Sequence, residues 1–80
     1  MIKSTTDILK EVQEIQGCSS ADFFSIIRTV FDGVEQIDVS LTFNEGEMPK
    51  IFTFFSSDGQ NKLRHKMKLF TKYIHKNECV

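Results

Sequence analysis

Apolar residues recur at helical spacing near both ends of this chain and alternate in its middle. Ile8, Val12 and Ile15 fall on one face of a helix. Before them, Ser4-Thr5-Thr6-Asp7 has the form of a capping box, in which a hydroxyl accepts from a backbone N–H and an acid three residues on reaches back. Gly17 supplies the left-handed residue that commonly ends a helix, so a first helix is expected from about Ser4 to Gln16. Ser19-Ser20-Ala21-Asp22 repeats the start signal. Phe23, Phe24, Ile26, Ile27, Val30 and Phe31 would then cover more than half of a helical circumference, leaving Asp22, Ser25, Arg28, Thr29 and Asp32 for water, with Gly33 as the stop. This reads as a second, central helix with Phe23 and Ile27 on its buried centreline.

From Gln36 the period changes to two. Ile37, Val39, Leu41 and Phe43 alternate with Asp38, Ser40 and Thr42, the pattern of a strand with one buried face. Asn44 to Pro49 forms a turn, and Ile51 to Ser56 returns with both faces apolar: Phe52 and Phe54 point one way, Ile51 and Phe55 the other. Ser57-Asp58-Gly59 breaks the strand, and Asp58 is placed to cap the last helix. Between Gly59 and Asn77, Leu63, Met67, Phe70 and Ile74 form a narrow apolar seam. Arg64, His65, Lys68, Lys72, His75 and Lys76 share the opposite face, and Lys62 and Lys66 flank the seam with stems that can cover apolar neighbours. The expected fold is α+β in the order α-α-β-β-α, a two-stranded antiparallel hairpin packed on helices, within a single domain spanning residues 1–80.

Composition adds that the core is assembled from Phe, with eight Phe against one Tyr and no Trp. At 80 residues, burial only just offsets the entropy of ordering, so nearly every apolar element must share one core. The formal charge of −1 conceals a division. Met1 to Pro49 holds three cations and nine acids, a formal −6, whereas Lys50 to Val80 holds seven cations and two acids, a formal +5. No window approaches the roughly 18 apolar residues of a membrane span, and Met-Ile-Lys-Ser-Thr-Thr-Asp has no apolar stretch behind its positive charge, which points to a cytoplasmic protein. In a reducing compartment Cys18 and Cys79 are free thiols, Cys18 buried and Cys79 near a frayed end.

Candidate chemistry is sparse. Cys18, His65, His75 and Cys79 contain no close Cys-Cys pair, and His75 with Cys79 supplies only two ligands, so no metal site and no cofactor are expected. There is no Gly-x-Ser-x-Gly elbow, no Gly-rich phosphate loop and no acid beside either His in sequence. These patterns point away from an enzyme. A helix-turn-helix is also rejected, because its reading helix would present Phe and Ile where base and phosphate contacts need donors.

The charge pattern and the hairpin support two functional readings. In the first, a small regulatory protein lays the cationic face of its last helix, Arg64, His65, Lys68, Lys72 and Lys76, on a polyanion, RNA or DNA. In the second, a protein-interaction module, inhibitor or antitoxin-like and of a kind that a phage encodes, contacts a protein target through the hairpin residues Ile51 and Phe55 and the acidic ridge Asp7, Glu11 and Glu14. A homodimer through the hairpin would serve to cover Ile51 and Phe55, since a lone two-stranded sheet leaves both edges unpaired. The bland use of the two charged helices is mutual neutralisation at the surface.

Overall fold

The computed structural model describes residues 4–78. The chain runs α1 (Thr5–Cys18), β1 (Phe23–Phe31), β2 (Val34–Thr42), β3 (Lys50–Phe55) and α2 (Gln60–Glu78). The class is α+β, but the order is α-β-β-β-α: one antiparallel sheet of strand order β1-β2-β3 carries both helices on one face.

The segment expected as a second helix is therefore a strand. Its composition explains why. Ile26, Ile27, Thr29 and Val30 are β-branched and lose χ1 freedom in a helix, and with three Phe they suit a pleated surface better. The decisive local feature is Asp32-Gly33. Both residues have positive φ, 51° and 77°, the combination of a type I′ turn, whose twist matches that of the strands it joins. Phe31 and Val34 close this two-residue hairpin, and pairing then continues from Val30↔Glu35 to Phe23↔Thr42. Ser19, expected to open a helix, instead accepts from the Ala21 N–H at 3.1 Å and turns the chain into β1.

Because β2 is the middle strand, it carries the centre of the core. Ile37, Val39 and Leu41 are fully buried, opposite Phe54, Phe52 and Lys50 of β3 and Arg28, Ile26 and Phe24 of β1. Ile8 and Val12 of α1 and Leu63, Met67, Phe70 and Ile74 of α2 close over them. The four-residue seam expected in the last helix is the seam that is buried. Phe70 makes edge-to-face contacts with Phe52 at 5.1 Å and Phe24 at 6.4 Å between ring centroids, one of the geometries that aromatic quadrupoles favour. Phe23 and Ile27, expected at the buried centreline, are exposed, because in a strand they share the sheet face that no helix covers.

Three smaller expectations are also resolved. Gly17 lies inside α1, which runs to Cys18 and is closed by Ser19 with its N–H to the Gln16 carbonyl at 3.4 Å. Cys18 is exposed, not buried; Cys79 lies outside the described residues. Ser4 and Asp7 do form the capping box, the Asp7 N–H donating to Ser4 Oγ at 3.3 Å and the Ser4 N–H to Asp7 Oδ2 at 3.2 Å.

Candidate interaction surfaces

With Leu63, Met67, Phe70 and Ile74 buried, helical periodicity turns Arg64, His65, Lys68, Lys72 and Lys76 outward, and all five are exposed. The other two lysines of α2 are engaged. Asp58 receives Lys66 Nζ at 2.6 Å on one oxygen and Lys62 Nζ at 3.5 Å on the other, and it accepts the Phe55 N–H at 3.2 Å. Burial pushes the Asp58 pKa up, but the bonds from Lys66 and the Phe55 amide and the two ammonium charges outweigh it, so the carboxyl is held below its ordinary value. Asp58 thus ties the start of α2 to the end of β3.

Two concave surfaces flank the outward row. On the α1 side, Glu11 joins Arg64, Lys68, Lys72 and His75 along an open groove between the helices. On the sheet side, Lys50 of β3 joins Lys72 and Lys76 around a recess of about 270 Å³ bordered by Phe52, Leu69 and Tyr73. Tyr73 is held there by Phe52 and Phe43, with centroids 5.7 and 5.8 Å away. Among the described residues, no carboxylate lies within ion-pair distance of Lys68, Lys72 or Lys76.

The acidic ridge and the hairpin residues are not brought together. Asp7 is occupied by its own helix cap, Glu11 turns toward α2, and Glu14 is exposed on α1. Ile51 and Phe55 pair with Ser40 and Gln36 and lie on the sheet face opposite the buried helix seam, with Lys66 of α2 reaching the Phe55 ring at its edge. That open face has a polar middle and apolar flanks. Asp38 accepts from Gln36 Nε2 at 2.9 Å and from Thr53 Oγ1 at 2.8 Å. Phe31, Val34 and Phe55 border a recess of about 250 Å³ near the β1–β2 turn.

On the helix side of β1, Arg28 donates from Nε to Glu35 Oε2 at 2.7 Å and also pairs with it through Nη2. The Thr5 side chain of α1 bonds Glu35 too, and these contacts, Thr5 first and then Arg28, hold the Glu35 carboxyl below its ordinary pKa.

Lys50 is the site residue that periodicity along α2 could not find, since it comes from a strand; its signal in the sequence is only that it begins the cationic part of the chain. His65 and His75 are both exposed, and Cys79, considered beside His75 as a ligand, lies outside the described residues. Among the described residues, no three His, Cys, Asp or Glu side chains gather as a metal site, and no helix is long and apolar enough to cross a membrane. No family model, curated protein or solved structure matches the chain.

Proposed function

We propose that this chain is a non-enzymatic binding module that holds a polyanion, RNA or DNA, on the outer face of α2. The supporting observation is the recess in which Lys50, Lys72 and Lys76 surround Phe52, Leu69 and Tyr73. Three ammonium groups can engage successive phosphates, while the apolar border offers a surface to a sugar or an unstacked base. Lys68 and Arg64 extend the cationic track along the helix. Lysines supply point charges and no bidentate fork, so contacts are to phosphate and sequence preference is weak. The aromatic border favours a single strand over a duplex, because only unpaired bases expose a face for stacking.

The test is a titration of the intact protein with fluorescent single-stranded and duplex oligonucleotides, RNA and DNA, at about 50 mM salt. Binding is expected to be tighter for single strands, to be lost in Lys68→Ala/Lys72→Ala, and to weaken in Lys50→Ala. The absence of binding at that salt, or binding indifferent to Lys68→Ala/Lys72→Ala, would remove nucleic acid from contention.

A second reading, a protein-interaction module, draws support from a different surface. Ile51 is exposed and Phe55 half-buried on the open sheet face, and clustered exposed apolar residues mark interaction surfaces more often than isolated ones do. The acidic helix does not share that surface, so on this reading the target is met by the sheet alone.

A further inference from the structure

β1 is the element that the rest of the fold leaves least covered. Its inner edge pairs with β2 over its full length, and its outer edge is the end of the sheet. Apolar side chains stand exposed on both of its faces: Ile27 at 56% and Phe31 at 81% on the open face, and Val30 at 63% on the helix face. A long apolar edge strand is a template for pairing, and edges meant to stay single are short or carry Pro and Lys. β3, at the opposite edge, has all three devices: it is six residues long and is entered through Pro49 and Lys50. β1 has nine residues and none of those guards, and its one charge, Arg28, is already held by Glu35.

We propose that β1 pairs antiparallel with β1 of a second copy of this chain about a two-fold axis through Ile27, which makes the two sheets continuous. The occupant is indicated by the strand's own sequence, whose chemistry is nearly the same read from either end. About Ile27, Phe23 faces Phe31 of the second copy, Phe24 faces Val30, Ser25 faces Thr29, and Ile27 faces itself. Only Ile26 opposite Arg28 is unlike, and there the guanidinium is turned to Glu35 while its aliphatic stem remains to pack.

The backbone selects the same register. At the two-residue turn, Phe31 and Val34 are the hydrogen-bonded closing pair, and the alternation of an antiparallel ladder then directs the amides and carbonyls of Phe24, Ile26, Arg28 and Val30 outward. The two-fold sets Phe24 against Val30 and Ile26 against Arg28, so these outward groups meet partners, about eight hydrogen bonds in all. Directly opposed residues share a face in an antiparallel pair. Phe23, Ile27 and Phe31 of the two copies therefore form three apolar cross-strand pairs on the open face, spaced by Ser25–Thr29 pairs, and Val30 is covered by Phe24 on the other. This pairing is independent of the polyanion reading, and it leaves both α2 helices on the same side of the joined sheet.

Sedimentation and crosslinking test it, on the full chain carrying Cys18→Ser and Cys79→Ser. At tens of micromolar the protein is expected to sediment as a dimer, and Ile27→Lys as a monomer with unchanged circular dichroism, since two ammonium groups would oppose each other at the axis. Ile27→Cys should crosslink to itself on mild oxidation, because a non-hydrogen-bonded antiparallel pair brings Cα atoms to about 4.5 Å, within disulfide reach. Ser25→Cys and Thr29→Cys should not crosslink alone but should do so when mixed. A monomer throughout, a dimer that Ile27→Lys leaves intact, or crosslinking by Thr29→Cys alone would each overturn the proposal. Should Ile27→Lys fail to fold, the crosslinking pattern alone decides.

Discussion

The Asp58 carboxylate meets Lys62, Lys66 and the Phe55 amide, and so fastens the start of the last helix to the end of the strand before it. Lys66 also lies 5.1 Å from the centre of the Phe55 ring, so one side chain joins a carboxylate and an aromatic face. Removing Asp58 leaves a strand-end amide and a half-buried ammonium without their acceptor, and Asp58→Ala is expected to cost about 1–3 kcal/mol at neutral pH. The pH dependence has a definite sign. The folded state holds the Asp58 pKa below its unfolded value, so the stabilisation is present above the ordinary aspartate pKa of about 4 and is lost as pH falls through the lower folded value. Chemical denaturation of wild type and Asp58→Ala at neutral and acidic pH measures this; a gap that does not narrow in acid would assign the loss to packing instead of charge.

Among the elements, the fold is tested by where a Phe matters. Phe54 and Phe70 are fully buried at the meeting of sheet and helix, and truncation of either to Ala is expected to cost about 3–5 kcal/mol. Phe23→Ala and Ile27→Ala, measured by thermal melts at concentrations low enough to keep the chain monomeric, should cost less than about 1 kcal/mol. The opposite ranking would restore Phe23–Phe31 as a core helix. The elements legible in the sequence have a clean period: α1 through Ile8 and Val12, β2 through Ile37, Val39 and Leu41, and α2 through its seam. Phe23–Phe31 is apolar at nearly every position, so its residues satisfy a helical stripe and a two-faced strand alike. Its β-branched residues and the Asp32-Gly33 hairpin signal, flanked by Phe31 and Val34, are the sequence cues that separate the two.

For the whole molecule, the question is how far the acidic and basic parts of the chain cancel. α1 lies beside α2, and Glu11 is in the groove with Arg64, Lys68, Lys72 and His75, yet Lys50, Lys72 and Lys76 meet on the far side of α2, around their own recess. Neutralisation is thus local to one flank. If three lysines engage phosphates, log K against log salt should have a slope of about −2.1 on a single strand and about −2.7 on duplex DNA. Glu11→Gln removes a carboxylate from the groove and should tighten binding at low salt by about 2- to 5-fold, the effect of one screened surface charge. Titrations across a salt series measure both quantities. A slope near zero would mean that any binding is not carried by phosphate contacts.

Local period and local chemistry were enough to establish the capping box of Ser4 and Asp7, the buried rows of β2 and α2, the outward cationic face, and the separation of Ile51 and Phe55 from Phe52 and Phe54. Each arises from the geometry of one element, in which 3.6- or 2-residue repetition fixes which side chains share a face. The arrival of Lys50 beside Lys72 and Lys76, the turning of Glu11 toward α2, and the distance between the acidic ridge and the hairpin's open face emerged only with the assembled fold. These are relations between segments, most of them distant in the chain. They are set by which faces must meet to bury Phe54 and Phe70, and no periodicity within a single segment encodes them.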